Sequence, residues 1–96
     1  MSNYDWDLLF AICNRRKELA RAFYELAQED VKNLNYMDVI FDSYYSGQID
    51  TYQVYKYLYN NLLRGTEKEK VLIAKGVIQL RPITNLRMLS IQSLWN

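Results

Sequence analysis

Helix breakers are scarce in this 96-residue chain, which has one proline and three glycines, the latter isolated at Gly47, Gly65 and Gly76. Glycine and proline supply most turns, so so few of them confine the chain to regular elements joined by short connections. The neighbouring residues say which kind of element. Thr66 with Glu69 has the spacing of a capping box, and Asp50 with Gln53 repeats it with aspartate in place of the usual hydroxyl. Gly47 and Gly65 stand where the end of a helix wants a left-handed residue. With 50% apolar and 24% charged residues, the composition is globular. The predicted fold is all-α: one domain over residues 1–96, a compact bundle of four to five short helices.

Apolar spacing places the helices. Leu8, Leu9, Ile12, Leu19, Ala20, Phe23, Leu26 and Ala27 recur at helical intervals behind Asp5 and Asp7, which predicts a first helix from Tyr4 to Gln28. Asn35 opens a second, ending near Gly47, and a third runs from Thr51 to Arg64. The fourth starts after Thr66 and heads toward Leu80, where Pro82 forbids helical geometry in the residue before it. Thr84 caps a last helix over Asn85 to Trp95. The alternative is an α+β fold in which residues 71–80 form a hairpin turning at Lys75 and Gly76, although Lys-Gly is a weaker hairpin turn than Asn-Gly.

Catalytic options are few. The chain has no histidine, and Cys13 is its only cysteine, so the usual general base, a cysteine-based zinc site and an internal disulfide are all excluded. No glycine-rich phosphate loop exists. Cys13 lies at the edge of the first helix's apolar face and reads as a small buried hydrophobe, while Glu29 and Asp30 read as exposed acids at a helix end. The expectation is a protein that is not an enzyme and uses no metal or cofactor. No apolar run is long enough to span a bilayer, and Met1 to Asp7 is acidic where a secretory signal is basic, so a cytoplasmic protein without membrane contact is expected.

Charge is divided along the chain. Residues 1–48 carry five basic and eight acidic side chains, and residues 49–96 carry seven basic and three acidic. Such poles either pair inside the fold or favour head-to-tail association. The basic half, with Lys68, Lys70, Lys75, Arg81 and Arg87, supports an alternative reading as a nucleic-acid binder, although Glu67 and Glu69 interrupt it and nucleic acid is the less expected partner.

Seven of the nine tyrosines fall between Tyr36 and Tyr59, around the segment Asp42 to Gln53. That segment resembles an EF-hand calcium loop at Asp42, Ser46, Gly47, Ile49 and Asp50. Tyr44 and Gln53 occupy positions where the loop needs a short oxygen ligand and a bidentate glutamate. The expectation is therefore a capped corner between helices, with Gly47 ending one and Asp50 opening the next. Unrolled at ~100° per residue, the third helix puts Val54, Tyr55, Leu58 and Leu62 on one side, with Tyr52, Tyr59 and Leu63 along its edge. Tyr52, Tyr55 and Tyr59 then bury their rings and wet their hydroxyls. Tyr57 falls among polar residues, so it is assigned with Tyr44 and Tyr45 to a partner-binding surface.

The first helix has two anomalies. Arg16 points into its apolar face, where it needs an acid such as Asp38 or Asp42, a route to water, or an anionic ligand that it would anchor. Beside that face, Trp6, Phe10 and Tyr24 align with Lys17 and Arg21 as an aromatic and basic stripe, suited to a partner or to stacked bases.

In size and helix count the chain resembles small helical proteins of phages and other mobile elements, including bacteriocin immunity proteins. The likeness is architectural and carries no residue roles. The function expected is a non-catalytic protein-binding module, acting as an inhibitor, adaptor or assembly factor on another protein. A homodimer is plausible because two aromatic surfaces exceed what one small core covers.

Overall fold

The computed structural model describes residues 6–79. Every regular element among them is helical: α1 Trp6–Ile12, α2 Lys17–Glu29, α3 Val31–Tyr45, α4 Thr51–Leu58 running on into a π-helical turn Tyr59–Leu63, and α5 Glu67–Ala74. The all-α bundle is thus observed. The helix expected over Asn85 to Trp95 lies outside the described residues.

The first predicted helix is two. Asn14 and Arg15 both take left-handed backbone angles, φ 58° and 60°, and the Arg15 N–H donates to the Phe10 carbonyl at 2.8 Å, closing α1 with a wide terminal turn. Asparagine tolerates that conformation without glycine, which is why no breaker marks the site. The break lets two short faces reach one core, Leu9 and Ile12 from α1 with Cys13 just after it, and Leu19, Ala20, Phe23, Leu26 and Ala27 from α2. An unbroken helix would have driven Arg16 into that core.

The next helix starts at Val31, not at Asn35. Asp30 alone separates α2 from α3, in extended conformation, and its side chain caps α3 by accepting from the Lys32 N–H at 2.9 Å. The Asn33 side-chain amide donates back to the Leu26 carbonyl near the end of α2, so both helix ends are served at the corner.

Between α3 and α4 the expected capped corner is present. Gly47 is left-handed at φ 84°, and Asp50 and Gln53 exchange both bonds of a capping box, at 2.9 and 3.0 Å. Asp42 to Tyr45 lie in the last turn of α3 and form no loop around an ion.

The π turn changes the register of the third predicted helix. Its wider winding, seen in the Arg64 N–H donating to the Tyr59 carbonyl at 2.8 Å, brings Tyr59, Leu62 and Leu63 together into the core with Val54 and Leu58.

Residues 71–79, the described part of the alternative hairpin, form no strand. Thr66 caps α5 by accepting from the Glu69 N–H, and the helix closes after Ala74 rather than near Leu80. Gly76 is left-handed, and the Val77 N–H reaches the Leu72 carbonyl at 2.9 Å. Ile78 then turns into the core. α2 lies at the centre, with α1, α3, the π turn and α5 packed against it.

Candidate functional site

The elbow between α1 and α2 faces the first turn of α4, and the two enclose a cleft of about 480 Å³ lined by Ala11, Ile12, Asn14, Arg16, Thr51, Tyr52 and Tyr55. Arg16 is half-buried there and pairs with neither Asp38 nor Asp42. Its Nε donates to the Cys13 carbonyl at 3.0 Å and its Nη1 to the Val77 carbonyl at 2.9 Å, so it closes the elbow and ties down the stretch after α5. Those carbonyls satisfy donors without neutralising the charge. Tyr55 is half-buried beneath the cleft, edge-on to Phe23 with centroids 6.3 Å apart and tilted against Tyr59 at 5.8 Å. Burial pushes its hydroxyl above the ordinary tyrosine range, and the Arg16 charge works against that.

Tyr52 corrects the expectation that it buries its ring. It is 66% exposed at the cleft's edge, with the Lys56 ammonium 5.1 Å from the ring centroid. α4 begins only one residue before it, so the ring projects past the core instead of lying over it.

Tyr57 is 42% exposed, as its place among polar residues required. Its carbonyl accepts from the Asn61 amide at 2.8 Å, and that same amide donates to the Tyr36 hydroxyl at 2.8 Å. A small polar network thus joins α3 to the π turn. Tyr44 and Tyr45 sit together, rings edge-on at 5.6 Å, but in the last turn of α3. Tyr36, the α3 partner of Tyr57, lies about 12 Å of helix before Tyr44. The three tyrosines are therefore two patches.

The aromatic part of the stripe on the first two helices is real. Trp6 stacks on Phe10 at 6.1 Å and meets Tyr24 edge-on at 6.3 Å. Its cations are different from those expected. Arg15 lies over Phe10, 5.6 Å from the ring centroid, because the elbow folds it back. Arg21 instead lines a second groove, about 370 Å³, between α2 and α5 with Glu18, Glu25, Lys68, Val71 and Lys75. Lys17 is exposed at the start of α2.

The charge division along the chain pairs up inside the fold. Lys68 reaches Glu25 at 3.0 Å and Glu29 at 3.8 Å, and Lys75, just past the end of α5, reaches Glu18 at 2.8 Å, so lysines of the second half of the chain lie on the carboxylates of α2. Lys70 pairs with Glu67 on its own helix. These exposed pairs contribute little each, about 0–1 kcal/mol, but they occupy cations that would otherwise face a partner.

Two buried groups are held neutral. Burial pushes the Cys13 thiol up to about 12, only partly opposed by Arg16, which is the reverse of what a nucleophile needs. Burial and a hydrogen bond to Glu69 also raise the Tyr59 hydroxyl well above its usual value. Glu69 further accepts from the Gly65 N–H at 2.8 Å, closing the corner before α5. Both shifts are upward, so their stabilisation is complete below the unfolded-state values and is lost as pH rises through the folded ones. Thermal unfolding followed by circular dichroism is expected to keep a level midpoint up to pH 9.0 and to fall steadily toward about 12, with Cys13→Ala flattening the first part of the fall. A wild-type midpoint that is level across that range would contradict the burial of both groups.

Among the described residues, no group of three or more Cys, Asp or Glu side chains converges as a metal ion would require, and no helix is long and apolar enough to cross a membrane. Of the cleft residues, Arg16 alone has a binding role in the sequence reading, where Ile12, Tyr52 and Tyr55 count as packing. Thr51, Tyr52 and Tyr55 are neighbours along the start of α4, and tertiary packing sets them against Asn14 and Arg16; the signal available beforehand was the charge misplaced on an apolar face. No family model, curated protein or solved structure matches the chain.

Proposed function

We propose that this protein is a non-catalytic binding module that engages another protein through its exposed aromatic side chains. The observation that carries the reading is the exposure of large rings on a small domain: Trp6 38%, Tyr24 42%, Tyr45 60%, Tyr52 66% and Tyr57 42%. Rigid rings with a polar tip lose little entropy on contact and dominate the energetics of many interfaces. Trp6, Phe10 and Tyr24 form one patch, Tyr44 and Tyr45 a second, and Tyr57 with its Asn61 and Tyr36 network a third. We place the module in the cytoplasm, as an inhibitor, adaptor or assembly factor of a phage or other mobile element. Self-association through these patches is a second use of the same chemistry. Protein is favoured over nucleic acid because three lysines of the basic half, Lys68, Lys70 and Lys75, are engaged by carboxylates instead of standing free for phosphate.

The test compares wild type with Tyr57→Ala in affinity capture from the native host. Tyr57→Ala is expected to lose the captured partner while its unfolding free energy stays within about 1 kcal/mol of wild type. Leu58→Ala, at a fully buried neighbour, is expected to lose about 2–5 kcal/mol. Equal destabilisation by the two substitutions would make Tyr57 a core residue and remove it from the surface.

A further inference from the structure

We propose that the cleft between the α1–α2 elbow and α4 receives an acidic segment of the partner protein, with a carboxylate set against Arg16 and an apolar or aromatic neighbour set against Ile12, Tyr52 and Tyr55. This rests on the protein-binding reading and gives it a site and a partner chemistry. The cleft's volume, about 480 Å³, falls within the range of roughly 300–1,000 Å³ usual for ligand clefts.

Charge complementarity identifies the occupant. Arg16 uses Nε and Nη1 on two backbone carbonyls, and Nη2 has no acceptor among the described residues. Its positive charge has no carboxylate partner among them, in contrast to Lys68, Lys70 and Lys75 on the other side of the bundle. Lys56, over the ring of Tyr52, adds a cation at the edge of the cleft, and Arg15 adds one on the elbow itself, folded over Phe10; neither is in an ion pair among the described residues. The carboxylate at the start of α4, Asp50, is spent on the Gln53 N–H. The elbow therefore presents a half-buried guanidinium, held in place by two bonds, beside the hydroxyl-bearing side chains of Thr51, Tyr52 and Tyr55 and the amide of Asn14. A fixed fork of this kind suits a carboxylate, and the aromatic wall suits an apolar residue beside it.

Backbone strain at the elbow agrees with a functional use. Asn14 and Arg15 hold consecutive left-handed conformations where glycine is the easier residue, and they do so at the cleft's rim. The described residues end two positions after Val77, whose carbonyl Arg16 binds, but residues 80–96 contain Arg81 and Arg87 and no acidic side chain, so side-chain charge favours a partner's segment over this one. A phosphate backbone needs a longer run of cations than these three.

The experiment pans a displayed library of random dodecapeptides on the full chain at about 0.15 M salt and measures the enriched peptides by fluorescence anisotropy. Enriched peptides are expected to share an aspartate or glutamate next to an aromatic or aliphatic residue. Their affinity is expected to fall about tenfold or more with Tyr52→Ala and with Arg16→Gln. Because Arg16 also holds the elbow together, Tyr52→Ala is the decisive variant, and its melting temperature is expected to match wild type. No enrichment, enrichment without acidic residues, or unchanged binding to Tyr52→Ala would overturn the proposal. So would tighter peptide binding by Trp95→Ala, which would make the chain's own end the occupant. A dimer dispersed by Tyr52→Ala in light scattering would assign the cleft to a second copy, and oligonucleotide binding lost with Arg16→Gln would assign it to phosphate. A partner retained by Tyr52→Ala but lost by Tyr57→Ala would remove this cleft while leaving the general reading intact.

Discussion

Phe23→Ala is expected to destabilise the protein by about 3–5 kcal/mol, the largest loss of any single truncation here. Phe23 is fully buried on α2, the helix against which α1, α3, the π turn and α5 pack, and it supports Tyr55 edge-on at 6.3 Å. Removing the ring opens a cavity that so many converging elements cannot jointly collapse. Domains of this size hold about 5–15 kcal/mol in total, so the variant is expected to be marginal at physiological temperature. Urea unfolding is the measurement: the midpoint should fall sharply while the slope stays constant. A loss below about 1 kcal/mol would mean that α2 does not occupy the centre of the bundle. Weakened peptide binding in Phe23→Ala is expected too, since Tyr55 forms part of the cleft wall.

Arg16→Met is expected to cost about 1.5–3 kcal/mol, because two hydrogen bonds from a charged donor are lost together and methionine offers no replacement. On apolarity alone the substitution looks neutral or favourable, since Arg16 falls on the hydrophobic face of the helical pattern. The structure reverses that expectation. The guanidinium joins the Cys13 carbonyl at the elbow to the Val77 carbonyl beyond α5, so its loss frees both ends of the fold at once. A drop in melting temperature of about 4–8 °C per kcal/mol is expected for a domain of this length. Arg16→Lys keeps the charge and loses the fork, and should recover little of the stability. A melting temperature for Arg16→Met equal to wild type would mean that the two bonds contribute nothing and that Arg16 is free for ligand binding alone.

Several features of the fold were legible because their causes are local. A capping box acts within three residues, so Asp50 with Gln53 and Thr66 with Glu69 marked two helix starts correctly, and Gly47 and Gly65 marked two ends. The amphipathic pattern likewise identified Leu9, Ile12, Leu19, Phe23, Val54 and Leu58 as core. Local signals also misled where a competing choice was equally local. Asn35 is an acceptable cap, but Asp30 lies earlier and faces the Lys32 N–H, and Asn33 serves the preceding helix end, so the corner forms there. The elbow at Asn14 and Arg15 had no glycine or proline to announce it.

The candidate site was the least legible part. Tyr57 was correctly read as exposed from its helical position, whereas Tyr52, placed by the same wheel along the core edge, projects into solvent because α4 starts just before it. Lys17 was matched to the aromatic stripe by its position on an unbroken helix. The break sends Arg15 over Phe10 and turns Arg21 toward α5 instead.

By itself, the sequence pointed to an all-helical fold, with a hairpin over residues 71–80 as the alternative, placed the capped starts of α4 and α5 and much of the core, and established that histidine-based and paired-cysteine chemistry is absent. Each follows from composition or from interactions spanning a few residues. Only the tertiary structure decided that Arg16 serves a carbonyl 61 residues away, that Lys75 neutralises Glu18 across 57 residues, and that a π turn brings Tyr59, Leu62 and Leu63 to the core together. The physical reason is that a side chain's local pattern states what it must satisfy, hydrophobic burial or a hydrogen-bond partner. Which distant group satisfies it depends on how the helices pack.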